Sequence, residues 1–278
     1  MKDMLVVIAP VTGGKLGFGP DYALALARLN GAHLTALIAE IEVDSAVGHV
    51  TSDNIRDRAE ETVSVSAVAR RAQTASLIES AAARFNVSCT VLPDDNASLS
   101  LREALIDSAQ VRDLVIIDVP GPLHYPRKGL VEAALFNTGR PILLVPSVFR
   151  QPGIGTAVVA WDATRSAVRA LHDALPLLTR AREVVLLSVV DDLERRATES
   201  AAELCRYLAR WDIAARVEVA NRGGHTVGAV LLEHARQVEA DLLVMGGFGH
   251  AKEREFIIGS ATRDIFQSTL GLPVLLSH

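Results

Sequence analysis

The sequence predicts an α/β protein built as two tandem, doubly wound parallel-sheet domains, and three observations carry that expectation. Short, continuously apolar runs alternate with segments of helical period, which is how strands buried on both faces and interleaved with helices read. The chain also repeats itself once, in order. Finally, its 278 residues suit two domains of ordinary size, and a composition 49% hydrophobic but only 4% aromatic requires an aliphatic core.

The repeat is specific. Residues 5–9 are echoed by 157–161, 84–87 by 210–213, 113–117 by 241–245, and 140–144 by 272–276. Matches in one consistent order read as a duplication. Pro152 and Gly153 punctuate the seam, so the predicted units are 1–148 and 153–278. In the second unit, strands over 157–161, 184–190, 215–219, 242–245 and 274–276 alternate with helices over 166–179, 194–210, 226–238 and 260–268. The first unit opens with a strand at 5–9, a loop up to a helix near 22–30, and an extra-long connection over roughly 42–61. Such sheets take ligands beyond the carboxyl ends of their strands, where strand order reverses.

Composition narrows the function. A net charge of −5, with the two signs well mixed, argues against nucleic acid, which needs clustered Lys and Arg. Cys89 and Cys205 have no CxxC spacing and read as reduced. No signal-peptide pattern and no apolar stretch of about 18 residues is present, so the expectation is a cytoplasmic protein without a membrane span.

The strongest motif follows the strand at 242–245. Gly246, Gly249, Gly259 and Ser260 have the spacing G-x2-G-x9-G-S and lead into a helix whose first turn holds Ala261. Glycines let bare backbone approach a ligand. A helix start offers unpaired N–H groups and partial positive charge to a phosphate. Lys252, Arg254 and Arg263 can add cationic charge.

These residues resemble the signature of ATP-binding members of the universal stress protein family, and the runs at 244–247 and 272–275 fit that family's ending. The resemblance spans the chain as a tandem form and is strongest from Asp241 to His278. It implies five-stranded sheets of order 3-2-1-4-5, adenine nucleotide hydrolase-like, with ATP (with or without Mg2+) across the ends of the first and fourth strands. It further implies that Asp162, just after the first strand of the second unit, contacts the nucleoside, and that Val189 contacts adenine. Ala160, Thr164, Met245, His250 and Ala261 complete the expected set. Asp162 reads equally well as an Asx turn or helix cap, and His250 as a solvent-exposed loop residue.

The first unit has lost the motif. Asp118 stands where Gly246 stands, putting a carboxylate where a phosphate would sit. Pro120, Pro122 and Pro126 lack donors, and Leu130 replaces the serine. No acid follows the first strand. This half is expected to bind no ATP, and Gly246→Asp is the variant that imitates it. The run 12–19 is not a Walker loop, because Leu16 follows Lys15.

The chain's eight histidines show no metal spacing, no nucleophile elbow is present, and Asp191 and Asp192 read as caps or solvated charges as readily as metal ligands. The expected function is therefore an ATP-binding regulatory protein of the stress-response type, with at most weak ATPase activity. The alternatives are an interaction module with a vestigial site, or a slow ATP hydrolase or phosphotransferase. Strands 140–145 and 272–277 are expected to pair within the chain as a pseudo-dimer, with a homodimer and an unidentified protein partner left open.

Overall fold

A computed structural model describes residues 1–11, 14–39, 53–92, 100–147, 153–190, 195–247 and 260–278, with backbone alone at 53–65, 195–199 and 260. The first half runs β1 (Asp3–Ile8), α1 (Phe18–Asn30), β2 (His33–Ile38), α2 (Asp53–Phe85), β3 (Cys89–Val91), α3 (Leu101–Gln110), β4 (Leu114–Val119), α4 (Arg127–Asn137) and β5 (Ile142–Pro146). The second runs β6 (Thr156–Ala160), α5 (Arg165–Leu178), β7 (Glu183–Val190), α6 (Arg195–Ala209), β8 (Ala215–Asn221), α7 (Val227–Gln237), β9 (Leu242–Gly246), α8 (Ser260–Gln267) and β10 (Val274–Ser277).

All ten strands share one sheet, ordered β3-β2-β1-β4-β5-β10-β9-β6-β7-β8. Each half is a parallel 3-2-1-4-5 set. The halves meet where β5 and β10 pair antiparallel, Ile142 opposite Leu276 and Leu144 opposite Val274. These are the segments expected to pair from sequence. The junction removes two exposed edges and points the carboxyl ends of the two halves in opposite directions.

Strand alternation builds the layers. Met4, Val6 and Ile8 belong to the apolar layer shared with α1, α2, α5 and α6, whereas Leu5 and Val7 belong to the layer shared with α3, α4, α7 and α8. No helix among the described residues is long and apolar enough to cross a membrane.

Element bounds in the second half match the sequence reading to within two residues. The first half corrects two expectations. Helix α1 begins at Phe18, so Phe18 and Gly19 belong to it and not to a loop. The connection expected over 42–61 is in part helix, since α2 starts at Asp53, while residues 40–52 lie outside the described ones. Residues 53–61 are mostly polar and carry no apolar stripe; only the helix propensity of their Arg, Ala and Glu residues marks them.

The repeat-matched Asp113 and Asp241 play the same part in each half. Asp241 Oδ2 accepts the main-chain N–H groups of Gly155 and Thr156 at 2.7 and 3.0 Å. Asp113 Oδ2 accepts those of Lys2 and Asp3 at 2.5 and 3.2 Å. Each carboxylate thereby pins the start of its half's central strand. Burial pushes the Asp113 carboxyl up, but these N–H donors and nearby Arg140 outweigh it and hold the group below its ordinary range. A depressed folded-state value stabilises above the unfolded value and is lost as pH falls through the folded one. Asp113→Asn is therefore expected to cost about 1 kcal/mol at neutral pH. In urea titrations across pH, the gap to wild type should close as the pH falls below the usual carboxylate range.

Candidate functional site

A cavity of about 160 Å³ opens beyond the carboxyl ends of β6, β7 and β9. It sits where the chain, having stepped from β6 outward to β7 and β8, returns to β9 on the other side, the place where open α/β sheets take ligands.

One wall grows from the end of β6. Trp161 extends the ladder, donating its main-chain N–H to Leu187 O at 2.8 Å and accepting from Ser188 Oγ at 2.8 Å. Its buried indole donates Nε1–H to Ser200 Oγ at 2.8 Å. Ala163 then adopts φ 58°, the left-handed region that residues with a Cβ seldom enter. That reversal lets Asp162 Oδ1 accept from Thr164 N at 3.0 Å and Thr164 Oγ1 at 2.6 Å. Thr164 caps α5 in turn, accepting from Ala167 N at 3.3 Å. The Asx turn, one of the two readings open for Asp162, is thus present, and the same residue stands on the cavity's lining.

The opposite wall is the end of β9. A Cβ on Gly246 would lie 2.7 Å from Ser166 C and Oγ and 2.8 Å from Ala167 N. From sequence, Gly246 is expected to admit a ligand to bare backbone. In the structure this glycine admits the first turn of α5 against the strand. Leu187, Val189, Val227, Leu231 and Met245 form an apolar floor, and Asp162, Thr164, Ser166 and Thr262 a polar border.

Of the residues expected from sequence, Ala160, Asp162, Thr164, Val189, Met245, Gly246 and Ala261 line this one cavity. Gly249, His250 and Gly259 lie outside the described residues, as do Asp191 and Asp192; Ser260 opens α8, its side chain undescribed. Trp161, Ser166, Leu187, Val227, Leu231 and Thr262 also line the cavity and were missed. Val227 and Leu231 carried a signal, being one helical turn apart; Leu187 and Val189 share a strand face. Among the described residues no cluster of three His, Cys, Asp or Glu side chains could hold a metal ion.

The first half builds the same junction the other way round. Gly19, second residue of α1 as Ser166 is of α5, faces Asp118; a Cβ on Gly19 would lie 2.6 Å from Asp118 Cβ. Here the helix carries the glycine, where in the second half the strand does. The Asp118 carboxylate, expected to face a phosphate position, instead receives Arg127 Nη1 at 2.9 Å, and the same nitrogen donates to Asp118 O at 2.8 Å. Arg127 is buried, so the chain supplies its own cation there. Helix α2 also reaches the end of β1, where buried Thr74 Oγ1 accepts from Val11 N at 3.0 Å.

The fold and this cavity define a doubly wound α/β protein with an opening at the switch point of its second half. Residues 153–276 match the model of the universal stress protein family, so the second half is similar to that family's domain. Among solved structures, a universal stress protein from Archaeoglobus fulgidus DSM 4304 aligns over 98% of this chain and 95% of its own, with 16% identity and a TM-score of 0.62. A functionally unknown protein from Pseudomonas aeruginosa PAO1 aligns over 98% and 92%, with 16% identity and a TM-score of 0.55. At such identities the likeness establishes the fold, and it does so across both halves. No curated protein matches the sequence.

Proposed function

We propose that the second half binds an adenine nucleotide, ATP, in the cavity between β6, β7 and β9, and that the protein acts as a nucleotide-dependent regulator and not as a committed enzyme. The observation that carries this reading is the meeting, at the switch point, of an apolar floor, the Asp162 carboxylate and the strand end from which the glycine motif continues. The floor suits a purine face. Asp162, oriented by Thr164, is an acceptor suited to ribose hydroxyls. The N–H groups at the start of α8 and the motif glycines suit a phosphate. A Mg2+ ion would come chiefly on the phosphates themselves, as this ion often does. Occupancy would regulate only through unequal affinity for two states of the protein or of its partner complex.

The test uses the chain's two tryptophans. Trp161 lines the cavity and is 7% exposed, whereas Trp211 lies outside it and is 48% exposed. ATP should change the emission of wild type and of Trp211→Phe alike, and leave Trp161→Phe silent while calorimetry still registers binding. Denatured protein should release adenine nucleotide. No heat with ATP and no released nucleotide would favour the interaction-module reading; rapid turnover would favour an ATP hydrolase.

A further inference from the structure

We propose that the first half is part of the second half's site: Leu135 and Phe136 of α4 position the end of β9, and so set the wall that a nucleotide meets. This rests on the nucleotide reading for its ligand but on separate contacts for its geometry. Gly247 directly follows the cavity-lining Met245 and Gly246, is buried, and is gripped from three directions. Its N–H donates to Ser277 O at 2.7 Å. Its carbonyl oxygen lies 3.0 Å from His278 Nδ1, and that imidazole meets the Phe136 ring edge-on, centroids 5.1 Å apart. A Cβ on Gly247 would stand only 2.9 Å from Leu135 Cδ2. The Gly247 backbone is not left-handed, so glycine is needed there for space and not for conformation.

The same stretch of the first half also holds the facing element. Arg169 of α5 donates to Gly139 O at 2.9 Å and is held by Asp173 at 2.9 Å, which accepts from Ser277 Oγ at 2.5 Å. Residues 135–139 therefore touch Gly247, next to Gly246, and Arg169, one turn along α5 from the residues Gly246 meets. Close-packed interiors transmit such displacements instead of absorbing them, and small misplacements at a binding wall are felt strongly. Although it lacks a glycine motif of its own, the first half thus fixes the site of its twin.

The experiment compares wild type, Gly247→Ala, and Gly247→Ala combined with Leu135→Ala, all in the full chain. Calorimetry gives ATP affinity, and NMR without nucleotide gives the amide shifts of Met245 and Gly246. Gly247→Ala should weaken ATP about tenfold and move both amides; deleting the Leu135 methyl groups should restore both readouts. Phe136→Ala should move the same amides. Unchanged amides in Gly247→Ala, or a double variant no closer to wild type than the single one, would overturn the proposal. If wild type bound no ATP, the nucleotide reading would fall, and the amide shifts alone would decide this one. Should the double variant not melt cooperatively, Leu135→Val replaces Leu135→Ala.

Discussion

Gly246→Ala is expected to lower stability by about 2 kcal/mol, as overpacking a tight interior contact does, and to remove measurable ATP binding. Two of the three atoms nearest the new methyl group are main chain, Ser166 C at 2.7 Å and Ala167 N at 2.8 Å, so no rotamer change relieves the clash. Either β9 or the first turn of α5 must move, and both line the cavity. Ser166→Gly should therefore fail to rescue Gly246→Ala, because it removes Oγ and leaves the backbone in place. This contrasts with Gly247, whose neighbour is the far end of a leucine side chain. Gly246→Asp, the imitation of the first half, adds a carboxylate to the same clash, so its loss of nucleotide would not separate failed binding from a displaced helix. Urea unfolding with calorimetry on Gly246→Ala and on the Ser166→Gly double variant checks the claim. Wild-type stability with retained binding would show that this contact does not hold the wall.

How far the sequence could be read depends on the range of the interactions that write it. Continuous apolar runs such as that of β9 and the repeated Asp113 and Asp241 announced strands, order and duplication, because burial on both faces leaves a local pattern. The pairing of β5 with β10 was also legible, since each half ends in an apolar strand that needs a partner. Local capping was visible in part: Asp162 falls where an Asx turn belongs, whereas the N-cap proved to be Thr164, expected only as a site residue. What was not legible is long-range. Nothing near Gly19 in sequence says that it faces Asp118, or that Gly246 faces Ser166. Trp161 and Ser200, bonded at 2.8 Å, are separated in the chain by the whole of α5 and β7. The early start of α2 was missed for a different reason, because a mostly polar helical stretch has no apolar stripe to betray it.

The exchanged glycines show how duplicated halves diverge without losing their shared fold. A strand end meets the second residue of a helix in both, and one glycine is enough to let them touch. With glycine on the strand, as in β9, no side chain projects from that position beside the cavity. With glycine on the helix, as in α1, the strand end is free to carry Asp118, and a buried cation becomes tolerable beside it. In the first half the helix-borne glycine, the strand-end carboxylate and buried Arg127 thus form one arrangement.

This arrangement places a largely buried ion pair in the first half. Asp118→Ala is expected to lower stability by about 2 kcal/mol, since it removes the carboxylate beside a buried guanidinium that keeps only its bond to the main-chain oxygen of residue 118 from this pair. The side chains are unequal, Arg127 10% and Asp118 29% exposed, so the reverse deletion should be milder: in Arg127→Met the carboxylate still reaches water and the thioether chain fills the aliphatic space, at about 1 kcal/mol. Combining the two should recover most of what Asp118→Ala loses, because the buried charge is gone with its carboxylate. A double-mutant cycle by urea unfolding measures this coupling, and equal losses in the two single variants would show that Arg127 finds water unaided. None of the three variants should acquire ATP binding in the first half. The donors a phosphate needs are missing there for a reason that charge cannot repair: Pro120, Pro122 and Pro126 have no N–H to give.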